Sequence, residues 1–519
     1  MFSSSKARWL SGLFLAGICG FLVIYFLNSL WTTSIDVALH YALVTRLSEH
    51  WHLPTNDDPS LEEMNVYPRS SHRLAAILGN LTGSPLEGMQ LVVVLSLAAL
   101  WGGLAFVFLS LPRRLRWMAL GGLAALLLAN RSFIHLELFG NEILGNYFYP
   151  QLVAQAVAIL VIAAVLWMET AGIHPLAGYL VLGCSVPILE QFHLLPALEV
   201  LAALGLLVLV NLFDMNIKER RAVFVTGLLV SLASAAVTGS SPLFSTMLSI
   251  SETNGVLYLS YTPNLSALGI ECTLVIALSA FLLWQWMRLD PGKARRNGIA
   301  LKYLGLFGLA AAGLCLLQIF LLKFGFGSEY ACRKYAFGLN TCLVLDLLLL
   351  PIVLVASLRA PLLSSQEGPL QLPVMRFQRS FLGLFVFVAV FTILPSPSTK
   401  VIALSDVISV ERFIKEYGRS PGNPAKYDYG IGLFPGRRNF DYLITVGALK
   451  APRVDNADDL LSGYAPSKPR KIGRIFTRVG SKPWDVPECR QFAGQDGLVI
   501  LDGQCVINRL AEAGVGTSP

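Results

Sequence analysis

A chain of 519 residues that is 54% hydrophobic and only 14% charged, with mean hydropathy +0.60, cannot cover a water-facing surface, which usually needs about 25% charge. Its formal net charge of +7 is scattered between apolar stretches instead of forming a patch, which argues against a nucleic-acid partner and for basic residues that orient membrane spans. Of the 40 Lys+Arg and 33 Asp+Glu residues, about 30 fall after Pro395, separating a lipid-embedded body (1–395) from a water-soluble tail (396–519).

A helix crosses a bilayer with roughly 20 apolar residues, because 1.5 Å of rise per residue must cover about 30 Å. About eleven segments qualify, near 9–30, 89–111, 117–134, 150–168, 175–190, 194–212, 222–238, 265–287, 299–322, 339–358 and 380–395. The first follows Lys6 and Arg8, but its apolar core is too long for a signal peptide and no small-residue cleavage site follows Leu30. It reads as an uncleaved anchor. Pro187, Glu190, His193 and Pro196 interrupt the pair at 175–190 and 194–212, which predicts a broken or re-entrant hairpin. The expected fold is an α-helical integral membrane protein with a small α/β domain after the last span.

Basic residues give the spans a direction. With a cytoplasmic N-terminus, one set of connections collects Arg113, Arg114, Arg116, Lys218, Arg220, Arg221 and their later counterparts. The other set holds only Arg46, Arg69, Arg73, Arg131, Lys323, Arg333 and Lys334. An odd number of spans then puts the tail outside. The short basic inner loops and Cys-poor outer loops suit a bacterial inner membrane with a periplasmic tail. Of the 8 cysteines, Cys19, Cys184, Cys272, Cys315 and Cys342 lie in or near spans as small apolar residues. Cys489 and Cys505 are the pair in the tail, and in an oxidising compartment they suit one disulfide. Pro and Gly punctuate short apolar runs at 400–404, 442–446 and 497–501, with a helix expected near 407–417.

The outer connections are long and mix acids, His, Tyr and Arg. The first outer loop, 31–88, carries Asp36 and His40-Tyr41, then Asn56-Asp57-Asp58-Pro59, then Tyr67-Pro68-x-x-x-His72. Asp36 and His40 share one face if this stretch is helical. The next outer loop carries Glu137 and Glu142, for which sugar contact, assistance to Asp36 and a divalent cation all fit; solvated loop acids are the plainer reading. Glu190, Gln191 and His193 in the hairpin, with Glu271 and Asp346 in later spans, are costly in lipid and are expected to face a cavity or one another. Before the tenth span stands Glu329-Tyr330-Ala-Cys332-Arg333-Lys334-Tyr335, either an interfacial belt or a phosphate site.

A first span, an outer-face Asp36 with His40-Tyr41 nearby, and Tyr67-Pro68-x-x-x-His72 before the second span together resemble the GT-C class of polytopic glycosyltransferases. The layout of about eleven spans with a C-terminal outer domain resembles it too. A tidy Asp-Glu or Asp-x-Asp pair, present in some branches, is missing here. The resemblance implies a sugar donor carried on a polyprenyl phosphate and a glycan, glycolipid or protein acceptor. It implies Asp36 as general base and inversion at the anomeric carbon, and pentofuranose and hexose donors both fit. It also implies that Tyr330, Arg333 and Lys334 hold the donor phosphate, and that His40, Tyr67, His72, Glu142 and His193 contact substrate. A lipid-linked glycan flippase or transporter and an O-antigen polymerase or ligase are the alternatives. No Walker loop, His-Glu-x-x-His or Gly-x-Ser-x-Gly is present, which disfavours an ATPase, a zinc protease and a serine hydrolase.

Overall fold

The computed structural model describes residues 28–513 except 31–33, 35, 54–57, 59, 215–218, 254–256, 290–294, 296, 359–384, 387, 391, 393–401, 418–428, 435–437, 452–471 and 495. Among the described residues, eight helical stretches are long and apolar enough to cross a membrane. They include α3 (Pro85–Leu109), α4 (Arg113–Ala129, continued by wider turns to Ile134), α5 (Tyr149–Thr170), α7 (Leu194–Phe213) and α8 (Arg220–Gly239). The others are α10 (Leu265–Arg288), α11 (Ile299–Leu322), and the pair α12 (Glu329–Lys334) and α13 (Ala336–Leu358). Leu228, Leu229, Leu232 and Val237 on α8, and Ile270 and Leu274 on α10, are exposed, as lipid-facing positions would be.

These eight correspond to eight of the eleven expected spans. The segment 175–190 forms α6 (Pro175–Glu190), an apolar helix of only 16 residues that runs through Pro187 and turns at 191–193 into α7. The expected spans at 9–30 and 380–395 lie mostly outside the described residues.

Close helix contacts depend on small residues, as in membrane bundles generally. A Cβ at Gly88 on α3 would strike the Ala75 carbonyl of α2 (Ser70–Thr82), and one at Gly308 on α11 would strike Ser279 on α10. Ser279 Oγ donates to Asp346 Oδ2 on α13 at 2.6 Å, so the same contact ties three helices.

The tail opens with β2 (Ile402–Ala403), which pairs antiparallel with β1 (Ser29–Leu30) of the body, and continues into α14 (Leu404–Tyr417). A four-stranded sheet follows, ordered β3-β4-β6-β5, from β3 (Tyr429–Gly432), β4 (Ile472–Arg478), β5 (Arg490–Ala493) and β6 (Leu498–Asp502). β3 runs parallel to β4; the other pairings are antiparallel. Cys489 and Cys505 form a disulfide, with Cα atoms 5.6 Å apart, that joins the start of β5 to α15 (Gly503–Glu512). The apolar run at 442–446 is helical. Leu443, Ile444, Thr445 and Val446 are buried on every side, a pattern a half-exposed strand does not give, and a Cβ at Gly447 would strike the Tyr41 ring. The tail therefore packs directly on α1 (Asp36–Glu49), where Lys450 also pairs with Glu49.

Candidate functional site

A cavity of about 110 Å3 opens where α1, the turn at 62–67, the starts of α7 and α12, and α9 (Pro242–Thr253) converge. Helix α1 presents Asp36, Leu39 and His40 to it, one turn apart on one face. The turn Glu62–Asn65 presents Glu63. It is pinned from behind: Arg46 Nε donates to Asp58 Oδ2 at 2.9 Å and Nη2 to Ser60 Oγ at 2.7 Å, while Asn65 Nδ2 donates to the Asp58 carbonyl at 2.8 Å. Glu63 therefore sits on a turn held by a half-buried ion pair.

Helix α12 shows how local geometry sorts adjacent cations. Ser328 Oγ accepts from Ala331 N at 3.2 Å and fixes the first turn. Tyr330 and Lys334, four residues apart, then line the cavity, with the Lys334 ammonium 4.7 Å from the Tyr330 ring centroid and 4.4 Å from that of Phe148. Arg333 lies on another face. Its Nε donates to Glu329 Oε1 at 2.8 Å, Nη1 to the Leu257 carbonyl at 3.0 Å and Nη2 to the Pro263 carbonyl at 2.9 Å. Of the residues expected to hold phosphate, Arg333 has its donors on Glu329 and the 257–263 loop and does not line the cavity, whereas Tyr330 and Lys334 do.

The expected substrate contacts divide in the same way. His40, Tyr67 and His193 line the cavity; His72 and Glu142 do not. His72 stands behind His40, with Nε2 2.9 Å from His40 Nδ1 and its own Nδ1 3.1 Å from the Pro68 carbonyl. Burial lowers the His72 imidazole to about 3 and, with the charges of His72, Lys334 and His193, holds His40 well below the ordinary range. Glu142 is turned into its own loop, where Oε2 accepts from Gly140 N at 2.5 Å. Glu190, Glu271 and Asp346, expected near a cavity, are buried but do not line this one. Among the described residues, no group of three or more His, Cys, Asp or Glu is gathered as metal ligands.

Sequence reasoning missed Glu63, Ser251 and Gln318, all of which line the cavity. Asp36, Glu63 and Lys334 lie close enough for their charges to act on one another. Burial, then the charge of Asp36, raises the Glu63 carboxyl above its ordinary range, with Lys334 opposing. The same cavity is also lined by the apolar side chains of Leu194, Leu195, Leu198, Met247, Leu248 and Ile250. Two carboxylates, an ammonium, imidazoles and phenols thus meet a surface fit for hydrocarbon. No protein-family model matches this chain, and no curated protein matches it.

Proposed function

We propose that the protein is a membrane glycosyltransferase that moves a sugar from a polyprenyl phosphate to a glycan, glycolipid or protein acceptor on the outer face of a bacterial inner membrane. The observation that carries this reading is the mixed lining of one cavity, which joins Asp36, Glu63 and Lys334 to a set of aliphatic side chains. A lipid-phosphate sugar has the same two halves. The resemblance of the first loop and its flanking span to the GT-C class points the same way.

In this reading Asp36 takes the proton of the acceptor hydroxyl as its oxygen attacks the anomeric carbon. The bond from that carbon to the phosphate oxygen breaks, inverting the centre through an oxocarbenium-like transition state. Lys334 offsets the charge that grows on the leaving phosphate, and Tyr330 flanks it. Glu63 holds Lys334 in the field of two carboxylates. A divalent cation bound by Asp36 and Glu63 together with substrate oxygens is compatible with this chemistry.

The test is to incubate the purified full-length protein with a panel of polyprenyl-monophosphate sugars and an acceptor extract, and to measure release of polyprenyl phosphate. Asp36→Asn is expected to lower release by about 100-fold or more, the scale of a lost general base, with unchanged thermal stability. Wild-type activity in that variant would overturn the assignment. A flippase is the second reading, favoured by Glu271, whose carboxylate oxygens are buried without hydrogen-bond partners inside a span. Movement of the labelled lipid between leaflets without sugar transfer would select it.

A further inference from the structure

Two imidazoles reach the cavity, and a backbone group fixes the proton on each. Leu195 N–H donates to His193 Nδ1 at 3.2 Å, so that nitrogen carries the lone pair and the proton resides on Nε2. This Nε2–H is buried without a hydrogen-bond partner, in a residue only 4% exposed that lines the cavity. An orphaned buried donor of this kind marks a missing acceptor.

His40 has the opposite polarity. The Pro68 carbonyl only accepts, so His72 Nδ1, 3.1 Å away, carries a proton. His72 is 0% exposed, which favours the neutral ring and leaves Nε2 bare. His40 Nδ1, 2.9 Å from that bare nitrogen, must then donate to it. In a neutral His40 the remaining Nε2 holds a lone pair. Tyr149 and Tyr67 pack edge-on against the ring, with centroids 5.1 Å and 5.7 Å away, and keep it from turning over.

We infer that His40 and His193 form a polarised pair, one acceptor and one donor, that reads the hydroxyl groups of the glycosyl head, with His72 as the positioning residue that sets the polarity of His40. The inference rests on the transferase reading and deepens it. A hydroxyl donates to His40 Nε2 and another oxygen of the sugar accepts from His193 Nε2–H. A bare phosphate held at Lys334 brings no sugar hydroxyl to either imidazole, so the pair discriminates by what it leaves unpaired.

The experiment measures binding of bare polyprenyl phosphate and of polyprenyl-phosphate sugars to the full-length protein in lipid nanodiscs. His193→Leu should weaken the best sugar-bearing lipid about tenfold, the loss of one buried hydrogen bond, and leave the bare carrier unchanged. His193→Gln, which keeps an N–H donor, should recover most of it. His72→Leu should weaken the same lipid and His72→Gln, which keeps an acceptor for His40 Nδ1–H, should restore it. Nitrogen-15 spectra of histidine-labelled wild-type protein test the polarity without any substitution: His193 protonated at Nε2 and His40 at Nδ1 support it, and either reversed overturns it. A sugar-bearing lipid bound alike by wild type and His193→Leu overturns the hydroxyl reading and leaves the transferase standing. A wild-type protein that binds no sugar-bearing lipid more tightly than the bare carrier overturns both.

Discussion

The two ends of the helical bundle bury the same kinds of group and use them differently. At one end, Lys334 faces the cavity with Asp36 and Glu63. At the other, roughly 30 Å away along α5, Lys302 is fully buried and all three of its protons are taken. Its Nζ lies 2.8 Å from Glu169 Oε1, 2.8 Å from Oε2 and 2.9 Å from Asn211 Oδ1. Tyr303 Oη donates to Glu169 Oε2 at 2.7 Å, and Asn211 Nδ2 donates to Tyr179 Oη at 2.8 Å. The network closes on itself and ties α5, α6, α7 and α11 together. Around the cavity, by contrast, polar atoms such as His193 Nε2 stay open. A closed cluster holds helices together; an open one has capacity for a ligand.

The sharpest way to break that comparison is to remove each lysine in turn. Lys302→Met should strand a carboxylate and an amide, and losing one partner of a buried pair costs roughly 3–5 kcal/mol. The Glu169 side chain is 30% exposed, so solvent reduces that figure here. The expected outcome is a clearly lower melting temperature in detergent, with donor-lipid affinity per folded molecule unchanged. Lys302→Met with Glu169→Gln should regain part of the loss. An unaltered melting temperature in the single variant would contradict the role of a helix tie.

Lys334→Met should do the reverse. Losing a charge-assisted contact to phosphate is worth about 1.5–3 kcal/mol, so donor-lipid affinity should fall roughly 10- to 100-fold. The melting temperature should hold or rise, because an ammonium is no longer kept from water. Arg333→Met, on the same short helix, should instead loosen the 257–263 loop, because its donors go to Leu257 and Pro263 carbonyls. Equal losses of donor affinity in the two variants would erase the distinction between the faces of α12.

These assignments differ in how readily the sequence yields them. The apolar helices are legible because each must satisfy its backbone within lipid by itself, and uninterrupted apolar length records that. Asp36 and His40 are legible because four-residue spacing fixes their shared face once the stretch is helical. Arg333 and Lys334 are not separable by pattern: adjacent residues on a helix point about 100° apart, and only the packed loop shows which one faces inward. Glu63 reads as one more loop acid in Leu61-Glu62-Glu63-Met64, since the Arg46–Asp58 pair that places it spans 12 residues. Lys302 had a usable signal. A lysine beside tyrosine inside the apolar run Ile299-Ala-Leu-Lys302-Tyr303-Leu needs a buried partner, but the run does not say that Glu169 supplies it.

Glu142 stands between the two cases and gives the smallest test. One carboxylate oxygen is closed by Gly140 N–H, while Oε1 is buried without a partner and the residue does not line the cavity. Burial pushes this carboxyl from 4.5 up to about 7, against the pull of the backbone N–H groups of Glu142 and Gly140. Between those values the folded protein keeps a proton that the unfolded chain has released. Stability therefore falls as pH rises through this window and levels off above it. Glu142→Gln keeps an acceptor for Gly140 N–H but does not titrate. Its melting temperature should vary less with pH than that of wild type, with the variant ahead by roughly 1–3 kcal/mol above pH 7 and the two converging near pH 4.5. Donor affinity should be the same in both. A pH-independent offset would remove the titration argument, whereas a loss of donor affinity would show that an open polar atom marks a ligand contact even outside the cavity wall.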